Sequence, residues 1–109
     1  MGRNRRVDAL LEQGVHQFHL KTGLADLFHQ TAEDHHVAYQ ATDGVDPDWS
    51  IWYADHLREH GLEKLLDATM LKSDLIYLLV LADKQQNAEA PGAHWERYYA
   101  DFFISRYLK

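Results

Sequence analysis

Residues 34–60 read DHHVAYQATDGVDPDWSIWYADHLREH, and the helical architecture of the chain follows from this segment. Gly44, after Asp43, can take the left-handed conformation that closes a helix. Asp46 suits the N-cap of the next helix, and Pro47 suits its first position, where the backbone N–H has no partner anyway. Because the connection is short, the sequence predicts two antiparallel helices joined as a hairpin.

Apolar spacing and helix breakers predict further helices on both sides of this hairpin. The first predicted helix covers 7–20. After a hinge at 21–23, a second helix with a Thr22 cap runs to Thr42, and a third runs from Asp46 to Gly61, with a short extra turn at 62–67 after it. A fourth helix, capped by Ser73-Asp74, continues past Gln85, and a last helix opened by Pro91 follows a loop at 87–92. The run LIYLLVLA, residues 75–82, is apolar on every side, which predicts a central, surrounded helix. The expected fold is all-α, a compact bundle of four to five helices forming a single domain over 1–109.

Composition excludes several classes of function. The net charge of the 109 residues is −6, so non-specific electrostatic binding to nucleic acid is not expected. The chain has no cysteine, which excludes disulfides and thiolate chemistry and fits a reducing compartment. The longest apolar run, residues 75–82, is far shorter than the about 20 residues of a membrane span. We expect a cytoplasmic protein without a membrane partner.

The sequence contains eight histidines, and their faces decide what they can do. A helix turns by about 100° per residue, which places His35 in the apolar stripe of the second helix. His56 and His60 share a face with the aromatic residues of the third helix. Across an antiparallel hairpin these side chains meet, so we expect a ligand pocket lined by His35, Tyr39, Trp49, Tyr53, His56 and His60.

Three hypotheses fit this pocket. Three imidazoles, His35, His56 and His60, suffice for a zinc, iron or nickel site with an open position. In the second hypothesis there is no cofactor, and each histidine is a hydrogen-bonded core residue. In the third, the pocket lined by rings serves acid–base chemistry or binds a small ligand. A separate set, His29, Glu33 and His36, has chelating spacing but lies on the predicted wet face, which favours a solvated surface.

Two resemblances bear on the fold. The block Asp43-Gly44-x-Asp46-Pro47-x-Trp49-x-x-Trp52-Tyr53-Ala54 resembles one in small bacterial all-helical proteins with no assigned activity, and it implies the fold only. The order of potential metal ligands is similar to that of hemerythrins, the oxygen-binding di-iron four-helix bundles. The matching residues are His16 or His19, His29 and Glu33, His56 and His60, and His94. The chain departs from that family at Tyr99, where an Asp would follow the last His by five residues.

The expected function is that of a small interaction or accessory protein. No nucleophile, phosphate loop or carboxylate pair stands at catalytic spacing, and the sequence leaves open whether the protein is an enzyme. The aromatic carboxy-terminal helix predicts a homodimer, because an exposed apolar helix end favours association, and a protein partner is a further possibility. The alternative is a metal- or small-ligand-binding protein that uses the histidine pocket.

Overall fold

The structure, a computed structural model, describes the backbone of residues 5–107 and the side chains of residues 18–107. It contains five α-helices, and their bounds are α1 Arg5–Ala38, α2 Trp49–Glu59, α3 Leu62–Leu66, α4 Lys72–Glu89 and α5 Trp95–Tyr107. No strand occurs in this part of the chain, and the predicted all-α bundle is confirmed. Between residues 5 and 107, no helix has the length and apolarity needed to cross a membrane.

The core forms where the apolar stripe of α1 meets α5. Leu24 and Phe28 lie one turn apart on α1 and are fully buried. The Phe28 ring contacts Tyr99 and Phe103 of α5, with ring centres 5.5 and 5.6 Å apart. The other helices complete the core with Ala54, Leu57, Leu62, Leu66, Leu75, Leu79 and Ala82. The aromatic cluster therefore fixes α5 against α1.

The carboxy-terminal half of α1 runs antiparallel to α2, as the hairpin prediction requires. His35 contacts the rings of Trp52 and Tyr53, while Thr31, one turn earlier, bonds to His56, one turn later. His35 and His56 were expected to face each other at equal depth, and this prediction is wrong by one turn. The cause is the end of α1 at Ala38, one turn earlier than the predicted Thr42, which places Trp52 rather than His56 opposite His35.

The predicted hinge at residues 21–23 is wrong, because α1 is continuous from Arg5 to Ala38. Thr22 caps nothing, since its hydroxyl donates to the carbonyl of Phe18 in the preceding turn. Glycine in a helix interior costs only about 1 kcal/mol relative to alanine. This cost is small enough for α1 to continue through Gly23. An added Cβ at Gly23 would meet a Leu65 methyl at 3.6 Å, so α3 packs closely against α1 here. Phe18, predicted to lie on the apolar face of the first helix, is 66% exposed, so this prediction is wrong. The side chains of the other predicted apolar positions, at residues 7–17, lie outside the described residues.

The corner between α1 and α2 is built differently from the predicted one. Helix α1 ends at Ala38 rather than Thr42, and a short 3₁₀ turn, Gln40–Thr42, follows it. Gly44 has the predicted left-handed φ of 81°, and Asp43 before it is also left-handed at 55°. Helix α2 begins at Trp49 rather than near Pro47. The later start leaves residues 46–48 as a turn.

The starts of α4 and α5 also differ from the predictions. Helix α4 begins at Lys72 without a side-chain cap, and Asp74 lies inside its first turn, where the helix dipole favours a carboxylate. Helix α5 begins at Trp95 and not at Pro91. The prediction that α4 is surrounded is wrong, because the Tyr77 side chain is 65% exposed. The run 75–82 is thus apolar in sequence but has one face toward solvent.

The aromatic residues of α5 contribute to the core of the chain itself. Tyr99, Phe102 and Phe103 are buried, and Tyr98 and Tyr107 pack against the core while half-buried. The guanidinium of Arg106 lies 4.5 Å from the Phe102 ring centre, a distance typical of a cation–π contact. The exposed aromatic surface from which self-association was predicted is therefore largely internal.

Candidate functional site

Three polar side chains form a hydrogen-bonded chain across the α1–α2 hairpin. His56 Nδ1 lies 3.0 Å from the hydroxyl of Thr31, and His56 Nε2 lies 2.8 Å from a carboxylate oxygen of Asp34. Thr31 is 0% exposed and His56 is 8% exposed, whereas the Asp34 side chain is 41% exposed. The chain leads from the core to the surface and links α2 to α1.

The hydroxyl of Thr31 has two neighbours. It donates to the carbonyl of Leu27 at 2.7 Å, and its oxygen lies beside His56 Nδ1. A carboxylate only accepts, so His56 Nε2 donates to Asp34. A hydroxyl beside an imidazole and a carboxylate also occurs in hydrolytic triads, but Thr31 is fully buried and donates its proton to a backbone carbonyl.

Asp34 holds its charge through two hydrogen bonds. The amide of Gln30 donates to one carboxylate oxygen at 2.9 Å, and His56 donates to the other. The hydrogen bond from Gln30 is the largest cause that lowers the pKa of Asp34 below its ordinary value, and the bond from His56 follows.

His35 lies buried in the corner of the hairpin, as predicted, and binds Asp46. Its Nε2 is 3.0 Å from one Asp46 oxygen, and the other oxygen accepts the backbone N–H of Asp48 at 3.0 Å. The hydrogen bond from His35 is the main cause that lowers the pKa of Asp46. The Tyr39 ring stacks on His35 with centres 4.7 Å apart, and burial, followed by the Asp46 charge, raises the Tyr39 pKa. Asp46 thus stabilises the corner through two partners rather than as the N-cap of α2.

The three histidines predicted to form a metal site do not converge. His60, the residue after α2, is exposed, and its Nδ1 lies 2.8 Å from the His56 carbonyl. The rings of His56 and His60 stack with centres 3.9 Å apart and planes at 14°. Two imidazoles on one tetrahedral ion have centres about 5 Å apart, given bonds of about 2.0–2.1 Å, and their lone pairs converge. The planes of the His56 and His60 rings are nearly parallel, so their in-plane lone pairs lie in separate planes and do not converge on one ion.

Trp52 contacts both His35 and His56. Its indole stacks on His56 with centres 5.0 Å apart and meets the ring of His35 edge-on at 5.1 Å. In the described part of the chain, no group of three or more His, Asp or Glu is arranged to hold a metal ion. To bind such an ion, His56 would have to give up one of the contacts that engage both of its ring nitrogens.

Two predicted pocket residues line a different cavity. Trp49 and Tyr53 face a space of about 200 Å³ between α2, α4 and α5, which we call the aromatic cavity. Its full lining is Trp49, Tyr53, Asp83, Gln86, Trp95 and Tyr99. The sequence reasoning missed the last four of these residues. His35, Tyr39, His56 and His60 do not line it, so the predicted pocket is divided.

The polar wall of the aromatic cavity comes from α4. Gln86 is buried, and its amide nitrogen donates to the Ala93 carbonyl at 3.2 Å, which leaves the amide oxygen as an acceptor. Asp83 is half-buried and accepts a long hydrogen bond of 3.4 Å from the hydroxyl of Tyr99. Burial first, and the Asp83 charge second, raise the pKa of Tyr99. A signal for Gln86 was present, because it continues the buried stripe of Leu75, Leu79 and Ala82.

The remaining histidines lie on the outside of the described chain. His29 is 58% exposed and pairs with Glu33 at 2.9 Å and Glu96 at 3.6 Å, so the predicted solvated face is confirmed. His19, His36 and His94 are exposed as well. Of the residues that match the hemerythrin order, the structure therefore places His29 and His94 outside and His56 inside. The His16 side chain lies outside the described residues.

Compared with known proteins, the chain matches no protein-family model, no curated protein and no solved structure.

Proposed function

We propose that this protein is a binding module for a small organic ligand, and that the ligand occupies the aromatic cavity. The observation that carries the proposal is the lining of the cavity, where four aromatic rings from two helices face two acceptor groups from a third. Ligand sites in proteins are concave and mostly apolar, with a few polar groups that orient the ligand. Four of the six residues that line the aromatic cavity are aromatic, and Asp83 and Gln86 supply its polar groups.

The geometry supports binding more than catalysis. Asp83 is the one lining residue with an ordinary acidic side chain, and the two lining tyrosines have raised pKa values, mainly because of burial. The histidines of the hairpin, which would be the ordinary proton-transfer groups, bind carboxylates and backbone instead of lining the cavity. A lining of this kind recognises a ligand without offering it a nucleophile or a proton relay.

The tryptophans provide the test. Trp49 and Trp95 line the aromatic cavity, while Trp52, also half-buried and on the same helix as Trp49, does not. The indole N–H signals in an NMR spectrum, identified by Trp49→Phe, Trp52→Phe and Trp95→Phe, report on the three positions separately. The probe is a mixture of small amines, alcohols and carboxylic acids at millimolar concentration.

We expect at least one compound to shift the Trp49 and Trp95 signals and to leave the Trp52 signal in place. Trp49→Phe should weaken its binding, and Trp52→Phe is the matched control that should not. If no compound moves the two cavity signals more than the third, the proposal is wrong.

A further inference from the structure

We propose that the ligand of the aromatic cavity is a small organic ammonium cation, held by the four aromatic rings and the carboxylate of Asp83. This inference rests on the proposed function, because it names the class of ligand for the same cavity.

The charge of the lining favours a cation. Among its six residues, Asp83 carries the only formal charge, and no Lys, Arg or His lines the cavity. Among the described residues, the Asp83 side chain accepts one hydrogen bond, from Tyr99, and its length of 3.4 Å is near the upper limit for a hydrogen bond. An ionised carboxylate has about four lone-pair positions, so it can accept further donors. A carboxylic acid ligand would meet a like charge here, and an ammonium would meet its counter-ion.

The four rings form two perpendicular pairs, one on α2 and one on α5. Trp49 and Tyr53 lie one turn apart on α2, with centres 5.2 Å apart and planes at 85°. Trp95 and Tyr99 repeat this pair on α5, at 5.3 Å and 86°. In each pair the edge of one ring meets the face of the other, and all four rings line the cavity. Aromatic faces carry negative quadrupole charge and attract ammonium groups, most strongly in the case of tryptophan.

The tyrosines keep this lining constant over the physiological pH range. Burial raises the pKa of Tyr53, and burial with the charge of Asp83 raises that of Tyr99. Both phenols are therefore neutral near pH 7, and the carboxylate of Asp83 remains the one charge that faces the cavity.

The size and the donor set distinguish an organic cation from a metal ion. The cavity volume of about 200 Å³ is below the range of about 300–1,000 Å³ that drug-sized ligands need. It suits the head group of a substituted ammonium. A metal ion such as calcium requires about six to eight oxygen ligands, and here one carboxylate and one amide oxygen face aromatic rings. Gln86 would accept a hydroxyl or N–H on the ligand through its amide oxygen.

The test compares choline with 3,3-dimethylbutan-1-ol, which has the same shape but carries carbon in place of the charged nitrogen. Both are titrated into the full chain, and the dissociation constants are taken from the indole signals of Trp49 and Trp95. We expect choline to bind at least about tenfold more tightly, since only the cation gains from the ring faces and the carboxylate. This comparison uses the unmodified protein, so it does not depend on the folding of a variant.

Asp83→Asn keeps the shape and removes the charge. It should weaken choline binding about fivefold or more and leave the binding of the neutral alcohol unchanged. Asp74→Asn is the matched control, because it removes an exposed carboxylate from the first turn of the same helix, away from the cavity.

The outcomes separate the two proposals. If choline and 3,3-dimethylbutan-1-ol bind equally, or if only the alcohol binds, the proposal of a cationic ligand is wrong while the proposed function stands. The same holds if neither compound binds and only alcohols or carboxylic acids of the mixture shift Trp49 and Trp95. If an amine of the mixture shifts them, the proposal of a cation stands. If no compound shifts these signals, both proposals fail.

Discussion

His56 and Asp34 join the two helices of the hairpin through a contact of 2.8 Å between an imidazole nitrogen and a carboxylate oxygen. The histidine end of this contact is buried and the aspartate end is half-exposed. Because Thr31 holds the other ring nitrogen of His56, the imidazole is fixed in one orientation between α1 and α2. The hairpin is thus held by a directional polar link in addition to apolar packing, and its strength should depend on pH.

The first prediction concerns the carboxyl of Asp34, whose pKa is lowered from the ordinary value of 3.8 in the folded protein. In acid the unfolded chain therefore binds this proton more readily than the folded chain does. The stability that Asp34 contributes is present above about pH 3.8 and is lost as the pH falls through the lower folded pKa. The urea midpoint of wild type should exceed that of Asp34→Asn near neutrality, and the difference should shrink in acid.

Asp26→Asn is the control for this measurement, because it alters an exposed carboxyl on the same helix. Its urea midpoint should follow that of wild type at each pH. A difference between wild type and Asp34→Asn that stays constant from neutral pH to pH 2.5 would contradict the role of the lowered pKa.

The second prediction concerns Thr31, at the buried end of the hydrogen-bonded series Thr31, His56 and Asp34. Thr31→Val preserves the shape but leaves His56 Nδ1 buried without its partner, which should cost about 1–3 kcal/mol of the free energy of unfolding. Thr22→Val is a matched control, since Thr22 makes the same bond to the carbonyl four residues earlier but is exposed and meets no imidazole. Its cost should be within about 0.5 kcal/mol. Equal costs for the two variants would show that the link to His56 adds no stability.

The third prediction addresses the metal alternative. His35 and His56 bind carboxylates, His56 also contacts the Thr31 hydroxyl, and His60 contacts a backbone carbonyl. We therefore expect protein purified without an affinity tag to hold well below one equivalent of zinc, iron or nickel. Elemental analysis measures this content directly. Metal near one equivalent that disappears in His56→Ala would instead establish the predicted three-histidine site.

The hairpin and its inward histidines could be predicted because they depend on local periodicity. A helical wheel places His35 and His56 on apolar faces, and both are buried. The same wheel correctly puts the His60 ring beside that of His56, but it does not show that His60, at the end of α2, is exposed. The one-turn offset between His35 and His56 depends on the length of the corner, which the glycine and proline positions did not specify to within a turn.

The aromatic cavity could not be predicted from the same reasoning. Its lining combines α2 with α4 and α5, and the pairing of helices distant in sequence is not contained in the periodicity of any one of them. Trp49 and Tyr53 were assigned to a pocket from their face on α2, but the wheel gave no information on which helix they would meet. The i, i+4 aromatic pairs and the polar Gln86 on the stripe of α4 were the available signals.

The fourth prediction is self-association through α5, which now depends on fewer residues. Phe102 and Phe103 are buried in the chain, so a partner could contact the half-buried Tyr98, Ile104 and Tyr107. If these residues pair two copies, light scattering at micromolar concentration should give about twice the chain mass of 12.7 kDa. Tyr98→Ser should then return the mass to that of one chain. A single-chain mass for wild type would remove the prediction.

The fifth prediction compares glycines at the helix ends. Gly61 has a φ of 96° and Gly44 a φ of 81°, and both values favour glycine because a Cβ is strained there. Gly61→Ala should cost about 1–2 kcal/mol from the backbone alone, since nothing lies within 4 Å of the added Cβ. Gly44→Ala should cost more, because its Cβ would lie 3.1 Å from His36 Nδ1 and force that side chain to move. Gly92→Ala, in open space and without a left-handed φ, is the control and should be nearly neutral. Thermal or urea unfolding of the three variants ranks the costs, and a Gly61→Ala variant as stable as Gly92→Ala would contradict the strain at the end of α2.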